Sequence, residues 1–190
     1  MSGRTCFLLL LRIARVGVLA TALLMIASVQ YASADVRVIY ETGGETLFSI
    51  AVPDGWVVTT GGNDVDGGAP RILGMNPEGD LSLWVGFLSP IEPKSLEEAE
   101  AYVKDLGKSL VTDSKVDREN DGNLGTLPAR FYIGRGTREG APVDFGVAIA
   151  ALPGSRAVIT VIVGEYGARE VYGEDIVAIL ASLRVEAASR

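Results

Sequence analysis

The stretch Phe48-Ser49-Ile50-Ala51-Val52-Pro53-Asp54-Gly55-Trp56 decides how this chain is read. Phe48, Ile50 and Val52 fall on one face of an extended segment at period two, with Ser49 and Ala51 on the other, as in a half-buried strand. Pro53 cannot donate to a ladder and Gly55 tolerates positive φ, so Pro53-Asp54-Gly55 predicts a tight turn. Beyond it Trp56–Thr60 predicts a second strand, with Trp56 closing one end of the core. Asp54, at the turn, is a candidate surface contact.

Upstream, Arg4, Arg12 and Arg15 precede an uncharged apolar run, Val16–Ile26, and Ala32-Ser33-Ala34 supplies small residues two apart. This is the order of a secretory leader, and it predicts cleavage after Ala34 with one domain over residues 35–190. The apolar run is short against the roughly 20 residues that span a bilayer. A lipid anchor would need a cysteine after that run, whereas the sole cysteine, Cys6, lies before it. The expected location is periplasmic or secreted.

Loss of the leader removes three arginines and no acid, leaving 14 basic against 24 acidic groups, a formal charge of −10. Nucleic acids and anionic membranes both require a cationic footprint, so neither is an expected partner, and no stable membrane insertion follows leader removal. The chain contains no histidine, and its cysteine leaves with the leader. Ser-His-Asp and Cys-His catalysis and imidazole metal sites are thereby excluded. No cofactor is expected, and only a hydrolase working with carboxylates alone stays open among enzymes.

Downstream, Val36–Glu41 and Thr46–Val52 predict two short strands around Gly43-Gly44. Arg71–Met75 and Asp80–Ser89 predict two more, the second apolar on both faces: Leu81, Leu83, Val85 and Phe87 on one, Trp84 and Leu88 on the other. Ser95 and Glu98 form a capping box for a helix whose stripe is Leu96, Ala99, Val103, Leu106 and Leu110. Val111–Asn123 is polar and turn-rich, with room for a short strand at Lys115–Arg118. Ala129–Thr137, Val143–Leu152 and Arg156–Gly164 predict strands whose short connections require antiparallel pairing. A helix beginning at Ala168 or Glu174 and ending near Arg184 closes the chain. The expected fold is α+β, an antiparallel sheet of about six strands with helices on both faces, an α/β/α sandwich.

This order of parts resembles the PsbP-like superfamily. The residues that carry the resemblance are Val52-Pro53-Asp54-Gly55-Trp56, the Ser95-Leu96-Glu97-Glu98 helix start, Gly125-Thr126-Leu127-Pro128-Ala129-Arg130 and the closing Ala181-Ser182-Leu183. The resemblance spans about Thr46–Val185. It implies the sandwich and a non-enzymatic role exercised through protein contacts; with the leader, the expected partner is an envelope or secreted protein. It supplies no catalytic residues.

Asp117, Glu119 and Asp121 are candidate metal ligands, because acids alternate before Gly122 as in a calcium loop. Pro128 stands where the bidentate acid belongs, which favours a solvated hairpin. Asp64 and Asp66, in the Asn63–Gly68 loop, are candidate surface contacts of a similar kind. The two acidic loops motivate the alternative function, a module for calcium or a small cationic ligand. Gly134, Gly136 and Gly140 have neither the spacing nor the following helix of a phosphate loop, and read as a glycine-rich hairpin. Trp56 and Trp84 read as core in preference to the floor of a ligand cleft.

Overall fold

The computed structural model describes residues 35–62, 70–91 and 95–186. The segment expected to be a leader and the Asp64–Asp66 loop lie outside the described residues. Within them, ten strands form two antiparallel sheets. The larger has seven strands in the order β3-β4-β5-β9-β8-β7-β6, and the smaller has three in the order β1-β2-β10. These are β1 (Val36–Thr42), β2 (Glu45–Val52), β3 (Trp56–Gly61), β4 (Ile72–Pro77), β5 (Leu83–Leu88), β6 (Thr112–Leu124), β7 (Leu127–Arg138), β8 (Ala141–Leu152), β9 (Arg156–Glu165) and β10 (Arg184–Val185). Helix α1 (Leu96–Leu110) follows β5, and α2 (Ala168–Ala181) follows β9.

The two-faced strands explain the layering. In β9, Ala157, Ile159, Val161 and Val163 join a cluster with α1, while Val158 and Ile162 turn to the opposite cluster with Phe48, Ile50 and Ile179. A strand apolar on both faces needs cover on both. One cover is α1, as expected. The other is not a helix alone, and here the α/β/α expectation is corrected: the small sheet and α2 share that face. The reason lies in the opening stretch. The Pro53-Asp54-Gly55 turn closes with Trp56 N–H donating to Pro53 O (3.3 Å) and Gly55 at φ +77°. Yet β2 before it and β3 after it belong to different sheets, so the turn is a corner between layers.

Tyr40 and Phe48 stack at 4.6 Å between centroids, and Phe48 lies 6.2 Å from Phe87 of the large sheet. These rings join the two sheets. Burying them stabilises the packing by roughly 1.5–3 kcal/mol per ring. Trp56 is half-buried, donates from Nε1 to Asp175 Oδ2 (3.0 Å) and meets Tyr172 edge-on at 6.1 Å.

Three of the four segments that carry the family resemblance meet near this corner, and the Ser95–Glu98 helix start lies on the other face. Ser182 Oγ accepts from Ala51 N–H at 2.8 Å, and Gly125 N–H donates to Leu180 O at 2.9 Å. A Cβ at Gly125, where φ is +60°, would run into the Leu183 carbonyl oxygen. These three segments join the layers.

Two further expectations are corrected. Val111–Asn123 is not a turn-rich connector, because Thr112–Leu124 forms one 13-residue strand paired with β7. Its polarity misled the reading: it is an edge strand exposed on both faces up to Leu124, so no apolar alternation marks it. Leu81 precedes β5 and is 88% exposed, since Asp80 Oδ1 accepts from Ser82 N–H and holds the chain in a turn there.

Candidate functional site

Helix α1 starts as its cap predicts, with Ser95 Oγ accepting from Glu98 N–H at 3.2 Å. Ala99 is fully buried against the sheet, whereas Tyr102, Val103, Leu106 and Leu110 stay partly exposed. The helix thus stands off the sheet along its later turns. A groove of about 630 Å³ lies beneath it. Phe145, Val147, Val161 and Val163 form the floor, and Glu100, Lys104, Lys108, Glu119 and Tyr132 are among the residues that line its polar part.

The β6–β7 hairpin builds the outer wall. Gly134 and Gly136 sit in β7, where a Cβ would strike the Lys115 carbonyl oxygen and Val111 respectively. Their role is close approach of the β6 backbone, which disposes of the phosphate-loop pattern. Shifts of register between Thr112/Lys115 and Val116/Arg118 bulge the start of β6.

That bulge separates the three candidate metal ligands. Ser114, Val116 and Glu119 line the groove under α1, but Asp117 and Arg118 line a second concavity, of about 570 Å³, on the α2 side. Asp117 accepts from Arg135 Nε at 2.7 Å, and this bond holds its carboxyl below the usual range. Glu119 and Asp121 instead approach Arg130 Nε at 3.9 and 3.8 Å, while Arg130 Nη1 donates to Glu100 of α1 at 2.6 Å. The acids run along a strand, on two faces, with arginines among them. Among the described residues no three acidic, His or Cys side chains converge to hold a metal ion. Asp54 is exposed in its turn.

Burial first, and then the Glu100 carboxylate, hold the Tyr132 hydroxyl above its ordinary range. Arg130, named above only for the resemblance, and Tyr132 carry no site signal in sequence, because β6, which presents Glu119, is polar and lacks periodic alternation. The Leu124-Gly125-Thr126-Leu127 turn was the signal that two long strands meet there. Trp84 packs in the α1-side cluster and, like Trp56, lines neither concavity.

No protein-family model and no curated protein matches the sequence. Solved structures do match. Cyanobacterial PsbP (CyanoP) from Synechocystis sp. PCC 6803 is similar over 84% of this chain and 96% of its own, at 11% identity and a TM-score of 0.54. The Ran-binding protein Mog1p of Saccharomyces cerevisiae is similar over 81% of this chain and 96% of its own, at 14% identity and a TM-score of 0.50. A protein from Bacteroides thetaiotaomicron VPI-5482 is similar over 80% of this chain and 48% of its own, at 14% identity and a TM-score of 0.51. Two antiparallel sheets in contact, flanked by two helices, define the class. Within it the chain has the PsbP-like fold.

Proposed function

We propose that this protein is a non-enzymatic interaction domain of the periplasmic or secreted compartment, which holds a partner protein along the outer edge of β6. The observation that carries this reading is the open edge itself. β6 is 13 residues long, ends the large sheet and is exposed on both faces up to Leu124. An unpaired strand edge is a template for a partner's strand, and bulges or charges usually blunt it. Here the register shifts fall between Thr112 and Arg118, while Arg118–Leu124 pairs regularly with β7; its charges, Arg118, Glu119 and Asp121, restrict the edge to a partner strand of complementary charge. The absence of histidine supports a role without acid–base catalysis, and a protein of the same fold, Mog1p, is named for binding another protein. The leader pattern supports the compartment.

A photo-crosslinking residue placed at Asn120 is expected to yield a discrete adduct in living cells, and one at Thr60 on the opposite edge strand β3 is expected not to. Equal labelling at both edges, or none at Asn120, refutes the edge reading. Mass spectrometry of the exported protein is expected to find Asp35 as its first residue.

A further inference from the structure

From the groove beneath α1 we infer a binding site for a single-chain amphiphile with an anionic head, of the fatty-acid class, its chain lying between helix and sheet and its head at Lys104 and Lys108. The inference goes beyond the edge-strand reading and stands without it. Its first support is size and lining. The groove of about 630 Å³ falls within the roughly 300–1,000 Å³ of small-molecule sites, and its floor is Phe145, Val147, Val161 and Val163.

The second support is what the floor withholds. Strands β7, β8 and β9 are each paired on both sides, so their backbone N–H and C=O groups are occupied. A peptide laid along the floor would bring its own polar backbone to strands whose backbone groups are already paired, which is costly. A hydrocarbon chain brings none. It would also cover the later apolar residues of α1, Leu106 and Leu110, which the sheet leaves partly exposed.

The third support is charge. Lys104 and Lys108 stand one turn apart on α1 and line the groove, in a domain that is otherwise strongly acidic. Lys108 is paired with Asp105 at 2.8 Å, and Lys104 has no ion pair among the described residues. Glu100 and Glu119 also line the groove and are engaged by Arg130. They direct an anionic head away from themselves and towards the lysines.

The test is calorimetric titration of the purified full-chain product with octanoate, decanoate, laurate and myristate, each below its micelle concentration. Each added methylene is expected to tighten binding about two- to fourfold, the upper figure corresponding to complete burial of the group. Dodecyltrimethylammonium is expected to bind at least tenfold more weakly than laurate. Combined Lys104→Glu and Lys108→Glu, at exposed positions, is expected to weaken laurate at least tenfold while lowering the urea midpoint only slightly, through loss of the solvated Lys108–Asp105 pair. Val161→Phe, which fills the floor, is expected to abolish binding, and the lysine variant decides the matter if that protein fails to fold. No binding up to myristate, affinity independent of chain length, or equal affinity for the cationic amphiphile would each overturn the site. Co-sedimentation with phosphatidylglycerol vesicles without binding of free laurate would overturn it too, pointing to a membrane surface instead.

Discussion

Gly125 allows the joint between the layers to be tested with numbers. Replacing it by alanine imposes two separable costs. The first is conformational: at φ +60° a Cβ crowds its own backbone, which costs about 1–2 kcal/mol. The second is collision with the Leu183 carbonyl oxygen, a backbone atom fixed where α2 runs towards β10, so the hairpin or the helix end must move. Overpacking of this kind costs about 1–3 kcal/mol, and displacing the hairpin also strains the bond from Gly125 N–H to Leu180 O. The expected total for Gly125→Ala is about 2–5 kcal/mol. Gly140 is the internal control. It has φ +84° in the β7–β8 turn, and nothing lies within 4 Å of a Cβ placed there. Gly140→Ala should therefore cost only the conformational part, about 1–2 kcal/mol. Urea unfolding followed by the fluorescence of Trp56 and Trp84 measures both variants. If Gly125→Ala were no more destabilising than Gly140→Ala, the contact between the hairpin and the end of α2 would not hold the layers together as argued.

Three other outcomes are expected. Trp56→Phe removes the Nε1–H donor from the part-buried Asp175 and should cost about 1–3 kcal/mol in the same urea assay; a neutral result would show that water replaces the bond. Asp80 is held below its ordinary value first by the Tyr172 hydroxyl and then by Ser82, and Asp117 first by Arg135. Their contribution is present above the unfolded carboxyl value of about 4 and is lost as pH falls through the folded values. The urea midpoint should accordingly fall below pH 4, less steeply in a variant combining Asp80→Asn with Asp117→Asn; identical slopes would refute this. Arg130→Ala should lower the midpoint, because the mostly buried Glu100 loses its 2.6 Å partner while Glu119 and Asp121 are solvated; added calcium should produce no heat with either this variant or the parent protein. Calcium binding by the variant alone would show that the guanidinium occupies a latent cation site.

The sequence by itself determined the elements whose period is local. The α1 cap, the alternation of Phe48, Ile50 and Val52, and the two apolar faces of β5 and β9 all follow from bonds and side-chain directions within a few residues. Each holds in the structure, with Leu81 falling outside β5. The two layers that enclose the core were legible as a need for cover on both faces. What supplied the cover was not, because the Pro53-Asp54-Gly55 turn looks the same whether it joins paired strands or passes from one sheet to another.

Only the tertiary structure decided the rest. β6 is polar on both faces, so its strand state depends on pairing with β7 and leaves no periodic trace. The bulge between Val116 and Arg118 parts Asp117 from Glu119 and Asp121, whose spacing in sequence had suggested one site. The groove beneath α1 exists because Ala99 seats one end of the helix while Leu106 and Leu110 remain only partly covered. Such a gap is set by the distance between two packed layers, a quantity no run of neighbouring residues encodes.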